Sequence, residues 1–394
     1  VTHAAITAAG PLPVGIRAGG RDLRLDFFRG LALLYIFLDH VPSNVVAWLT
    51  LRNYGFSDAT EIFVFISGYS AALAYGRRMQ AHGFVFGTAS VLHRAWEIYI
   101  AHIFLFVLYS AQIAWIGTRF HNPMFAEEAN LLRFLDDPLA NFVEALLLRF
   151  RPANMDVLPL YIVLLLGFAP ALWCLLRRPW LTLTLSAALY LAAGLNNWNL
   201  PAYPPGSAWY FNPLCWQFLF LLGAACALYP ALPHAIERQA RWLQPLALAM
   251  LIFALAVTAT WHLPEYAELM PEWLAQLIYP ISKTNLDPLR LLHFLALAWL
   301  AGHYVDADAR FLRGRWAAPL VLCGRHSLHV FCLGILLAFA AHFYLVEFHG
   351  GTLAQLGVSV AGAGLMLLLA LLMEWYRQAR QPRRIPETSH ARED

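Results

Sequence analysis

Two residues in the stretch RLDFFRGLALLYIFLDH could carry chemistry together, Arg29 and His40. On a helix their spacing is about 16 Å along the axis and about three turns, so both side chains fall on one face. A neutral imidazole can take a proton from a hydroxyl near pH 7. A guanidinium can hold phosphates through its planar fork. A ligand with a phosphate end and a reactive tip would span that face, and an acyl-coenzyme A has this form. The same pair also fits an arginine that snorkels to lipid phosphates beside a packed, hydrogen-bonded histidine. Spacing alone leaves both readings open.

Other ionisable residues gather round this face. Asp39 precedes His40, but helix neighbours point about 100° apart, so it does not orient the ring directly. Asp58 and Glu61 open the next apolar segment and either hold the His40 tautomer, as a carboxylate does in a hydrolase triad, or pair with Arg52. Asp26 and Arg29 are placed for a helix-surface pair. Counting helical rise from the segment ends puts His40, His293 and His329 at one level, about 18–20 Å from one face of the bilayer. No carboxylate or cysteine joins them at ligand spacing, so no metal site is expected. One histidine would be catalytic, while the others line a tunnel or donate to an oxyanion. Ser67 could do the same, or be a small residue that lets helices approach.

The elements that must position these residues are membrane helices. The chain has 394 residues, of which 60% are apolar and 13% charged. Mean hydropathy is +0.55. That charge cannot cover a soluble surface, which excludes an ordinary cytosolic enzyme, a disordered chain and a nucleic-acid binder. Five cysteines, all in apolar runs, imply neither a disulfide framework nor a CxxC site. Apolar segments long enough to be helices of a polytopic all-α bundle fall at 27–49, 56–76, 93–117, 156–176, 180–195, 209–229, 243–262, 286–305, 317–346 and 353–376. The ninth is long and is expected to kink near Gly334 or to extend beyond the bilayer. Residues 1–20 lack an apolar core of signal-peptide length and read as a mobile arm. Residues 21–376 form one transmembrane domain, and 377–394 a polar cytoplasmic tail. No internal repeat is visible.

The arginines orient the bundle. With the N-terminus inside, nineteen of the 27 Lys and Arg residues fall in inner segments, seven in outer ones, and Arg325 within a span. Both termini are therefore expected in the cytoplasm. Two outer connections, 118–155 and 263–285, are too long for simple turns and read as a lid, a substrate site or spacers. Residues 141–150 could form an amphipathic helix on the outer leaflet. Trp198, Tyr203, Trp209, Tyr210 and Trp216 cluster near the outer face, as an interfacial belt or as faces on which sugars stack.

Arg29-x10-His40 resembles the R-x10-H motif of the acyltransferase-3 superfamily, membrane enzymes that move acyl groups onto sugars. EIFVFISGYSAA resembles that superfamily's second-helix segment, with Ser67-Gly68 in place. LTLRNYGFSDATEIFVFISGYS, MDVLPLYIVLLL, WYFNPLCWQFLFLLG and KTNLDPLRLLHFLALA are similar to the OpgC type, the succinyltransferases of osmoregulated periplasmic glucans. The resemblance covers residues 22 to about 345. Arg24 and Asp26 resemble the start of the first motif. Gly324 to His329, with Arg325, resembles a late one.

The resemblance implies a bacterial inner-membrane protein that transfers an acyl group, expected to be succinyl, from cytoplasmic acyl-CoA to a periplasmic glucan hydroxyl. His40 would be the general base, and Arg29 and Arg24 would hold the donor. No tightly bound cofactor is implied; the donor, the glucan and membrane lipids are the partners. A succinyl group carries a second carboxylate, and a buried anion needs a cation. Arg290, one turn from His293, is the first expectation, with Arg52 and Lys283 next; Arg290 could instead pair with Asp287. A transporter or flippase for a glycan or lipid-linked precursor is the competing class, but it has no need of the fixed Arg-to-His spacing. Alkaline phosphatase fused after residue 200 should be active, and after residue 236 inactive. The opposite pair of results would overturn the orientation.

Overall fold

The computed structural model describes residues 22–230, 238–268, 270–348 and 350–380. The N-terminal arm and most of the C-terminal tail lie outside these residues. Among them the structure is helical, with no strand beyond an isolated bridge between Pro201 and Ala208.

Each apolar segment carries a helix. The first, α1, spans Leu23–Asp39 and is capped by the Asp22 side chain. It ends well before residue 49, because Pro42 disfavours continued helix. The chain turns through two 3-10 segments, Val45–Leu49 and Leu51–Asn53, that fold back over the end of α1. Thr50 locks this return by donating to Asp39 Oδ1 at 2.7 Å.

The next helix, α2, runs Ala59–Phe120 but is broken at Gly83, whose φ of 83° and ψ of 175° are non-helical. A side chain at Gly87 would collide with Met79 across the break, so the two arms turn back on each other. The segments 56–76 and 93–117 therefore lie on separate arms. Three short helices follow: α3 (Met124–Glu128), α4 (Leu132–Asp136) and α5 (Pro138–Leu146). The amphipathic helix expected at 141–150 begins earlier, at Pro138, because Asp137 caps it there. Leu139, Val143 and Leu147 are exposed, whereas Asn141 and Ala145 are buried.

The apolar helices α6 (Val157–Arg177), α7 (Pro179–Leu195) and α8 (Pro213–Leu228) come next. Then come α9 (Ala240–His262), short α10 (Pro264–Ala267) and α11 (Glu272–Ile278), and α12 (Pro288–Tyr304). Proline opens α7, α8 and α12 at a position where its missing N–H costs nothing. The ninth segment divides into α13 (Ala318–Arg325) and α14 (Ser327–Glu347). Its break falls at His326 rather than Gly334, which is buried within α14. The last helix, α15, spans Thr352–Ala379.

Among the described residues five helices are long and apolar enough to cross a membrane: α2, α6, α9, α14 and α15. Helices α7 and α8 are apolar but shorter.

Helix α1 sits at the centre, packed along α13, α14 and α2, while α2 packs against α6 and α8. Glycine permits the closest crossing. A Cβ at Gly30 would collide with the Leu320 main-chain oxygen, and one at Gly324 with that of Asp26. Close backbone approach of this kind is how helices pack where burial from water drives little.

Candidate active site

His40 follows the last residue of α1 and is its C-cap. Its Nδ1 lies 2.5 Å from the Ile36 main-chain oxygen. A carbonyl only accepts, so Nδ1 must carry the proton, and in the neutral ring Nε2 keeps its lone pair. Nε2 has no partner among the described residues, and His40 lines a cavity of about 1260 Å³. This is the arrangement a general base needs, with a main-chain oxygen doing the orienting.

Asp58 and Glu61 do something else. The sequence Asp58-Ala59-Thr60-Glu61 forms a capping box at the start of α2. Asp58 Oδ1 accepts from Thr60 N at 2.8 Å, and Glu61 Oε2 from Asp58 N at 2.9 Å. Their other oxygens take cations. Glu61 Oε1 lies 2.7 Å from Arg290 Nη2, while Asp58 Oδ2 lies 3.3 Å from that nitrogen and 2.6 Å from Lys283 Nζ. Neither carboxylate meets His40 or Arg52. Burial pulls the Lys283 pKa down, but Asp58 and Glu61 outweigh it, so the ammonium is held above the ordinary lysine value. Asp287 caps α12 through Leu289 N and leaves Arg290 to the cluster.

The other histidines separate. His293 Nδ1 accepts from Ser57 N at 3.2 Å and lies 2.7 Å from Ser57 Oγ. Its neutral tautomer therefore carries the proton on Nε2, opposite to His40, and that edge packs against Gly55. His329 is exposed on α14 and lines neither this cavity nor the smaller one near Arg29. The level that rise arithmetic gives all three does not bring them together, since depth says nothing about which face a helix presents.

Arg29 borders the smaller cavity, about 170 Å³, with Ser67, Ser70, Arg94, Tyr161 and Ser327. It donates to Ser70 Oγ at 2.5 Å and lies 3.8 Å from Asp26 Oδ1. Arg325 Nε reaches Asp26 Oδ2 at 3.7 Å, and His326 Nε2 lies 3.1 Å from Glu374 Oε2 on α15. Arg24 is occupied by Asp22 and the Val305 main-chain oxygen. The two cavities come close without merging. Val157 borders the larger and Leu158 the smaller, as do Thr60 and Phe63 one turn apart on α2.

Sequence reasoning passed over Ser57, Ser70, Arg94 and the pair Arg151–Asp156, joined at 2.8 Å. Only the polar type of Ser57 and Ser70 could have flagged them, and serine is common in helices that pack closely. Of the aromatic cluster, Tyr203 and Tyr210 line the larger cavity, joined by Trp48 and Trp261. Trp216 is fully buried, its indole donating to the Lys283 and Thr284 main-chain oxygens. Trp209 lies beneath the Arg151 guanidinium, 4.2 Å from it.

A helical membrane protein with an oriented histidine on a large polar cavity is the class these features define. The family described as "OpgC protein" matches residues 21–378, and the chain belongs to it. Membership points to modification of a glucan. No curated protein and no solved structure matches the chain.

Arg290→Ala should destabilise the protein by about 3–5 kcal/mol, because it strands the fully buried Glu61 carboxylate and leaves Asp58 with Lys283 alone. Adding Glu61→Gln should recover part of that loss. Thermal unfolding in detergent measures both, and an unchanged midpoint for Arg290→Ala would show that the cluster is not structural.

Proposed function

We propose that the chain is an integral-membrane O-acyltransferase of the acyltransferase-3 type. It moves a succinyl group from cytoplasmic acyl-CoA to a hydroxyl of a periplasmic glucan. In this reading the bundle has ten spans, counting the two arms of α2 separately and α13 with α14 together. It lies in the bacterial inner membrane with both termini inside. The larger cavity then opens outward and the smaller one inward.

The observation that carries the reading is the His40 tautomer. The acceptor hydroxyl gives its proton to Nε2 as its oxygen bonds to the thioester carbonyl carbon. The tetrahedral adduct collapses with cleavage of the C–S bond. The leaving thiolate takes the proton from the imidazolium, and the ring returns to neutral. Imidazolium formation is supported by the Ile36 carbonyl, which stays bonded to Nδ1–H throughout.

Arg29 and Arg94 at the smaller cavity suit a phosphate-bearing donor. The apolar layer around Phe63 and Leu158 must open locally for the acyl end to reach His40. Tyr203, Tyr210, Trp48 and Trp261 offer faces on which glucose rings stack.

The test incubates purified protein with succinyl-CoA and glucan oligosaccharides, following free thiol and the succinylated product by mass. His40→Ala should lower turnover by about 10²–10⁴-fold while the protein stays folded. Near-normal turnover would overturn the mechanism. Arg29→Ala should raise the KM for acyl-CoA more than that for the glucan. An unchanged donor KM would leave Arg29 a packing residue held by Ser70 and Asp26.

A further inference from the structure

Five cations border the larger cavity: Arg52, Arg149, Arg151, Lys283 and Arg290. Four are neutralised. Arg149 meets Glu144 at 3.3 Å, Arg151 meets Asp156 at 2.8 Å, and Lys283 and Arg290 belong to the buried cluster with Asp58 and Glu61. Arg52 makes no ion pair among the described residues. Its one hydrogen bond there runs from Nη1 to the Asp39 main-chain oxygen, 3.3 Å away.

That bond matters because Asp39 directly precedes His40. The guanidinium is anchored one residue from the candidate base, on the 3-10 turn that Thr50 ties to Asp39. A guanidinium has five N–H donors, and one is used. The others are exposed at the wall of a polar cavity. An anion brought to Lys283 or Arg290 would have to compete with carboxylates already seated there, and would add a third negative charge to a buried cluster. At Arg52 no carboxylate of the described residues is seated within ion-pair distance, and the nearby Asp39 carboxylate is already held by Thr50.

We propose that Arg52 determines acyl specificity by binding the terminal carboxylate of a dicarboxylic acyl group whose thioester carbonyl lies at His40. This rests on the acyl-transfer reading above. A short dicarboxylic chain holds its two ends only a few bonds apart, which suits a cation anchored beside the base. The planar fork takes the carboxylate through two N–H groups and fixes the chain's direction. A monocarboxylic acyl group leaves Arg52 exposed and hydrated, so selection works by a gain on the diacid rather than by rejection of its competitors.

The experiment presents succinyl-CoA and acetyl-CoA together to the full-length protein with a glucan oligosaccharide, and resolves the two products by mass. Arg52→Ala should shift the succinyl-to-acetyl product ratio at least about tenfold toward acetyl, the scale of one charge-assisted hydrogen bond. Arg52→Lys should shift it less, since it keeps the charge and loses the fork. Arg52→Gln carries the comparison if the alanine variant does not elute as folded protein from size exclusion. A ratio unmoved in the folded variants, including one in which only succinyl product forms, overturns the Arg52 assignment and leaves acyl transfer standing. No product from either donor with the unsubstituted protein overturns both.

Discussion

The site depends on one buried electrostatic arrangement. Asp58 and Glu61 start α2 by capping it, and the same two carboxylates hold Arg290 of α12 and Lys283 of the loop before it. Glu61 has a fully buried side chain, so each charge must be matched at short range or the fold loses more than hydrophobic contact can restore. Each carboxylate gives one oxygen to capping and the other to a cation, so the same two side chains start the helix and tie it across the bundle. The cluster brings sequence positions more than two hundred residues apart into one wall of the larger cavity. It also fixes the loop through Lys283, whose main-chain oxygen takes the Trp216 indole.

A second constraint governs α1. The helix must be close enough to α13 for glycine to face backbone on both sides, and its ends must meet different chemistry. Near one end Asp26 joins Arg29 and Arg325. At the other, the Ile36 carbonyl accepts the His40 main-chain N–H at 3.2 Å and takes the His40 ring through its second lone pair. The orienting group for His40 is thus the helix terminus itself. That explains how Asp58 and Glu61 can be wholly committed elsewhere without leaving the imidazole unguided.

Much of the frame was legible in the sequence. Every apolar segment holds a helix, because runs of this length and hydropathy have few other ways to satisfy their backbone. Arg29 and His40 stood out because ionisable groups are rare in such runs. The charge partners were not legible. Arg290 had a local candidate in Asp287, three residues away, yet its partners lie on α2. Pairing across the bundle depends on which faces meet, and apolar periodicity is weak in helices that are apolar all round. The break at His326 was missed for a related reason: no proline marks it, and the residues that hold it, Glu374 and Asp26, come from α15 and α1.

The thin apolar partition between the two cavities has a consequence for the membrane as a whole. A bore lined by guanidiniums, carboxylates and histidines from one face to the other would conduct protons, and a cell that stores energy as an ion gradient could not tolerate it. In the proposed orientation, Val157 on the larger cavity and Leu158 on the smaller belong to the layer that would keep water on the two faces apart. Under the proposed reaction, the side chains that yield to the acyl group would also be electrical insulation, and their packing would set how much leak each turnover admits.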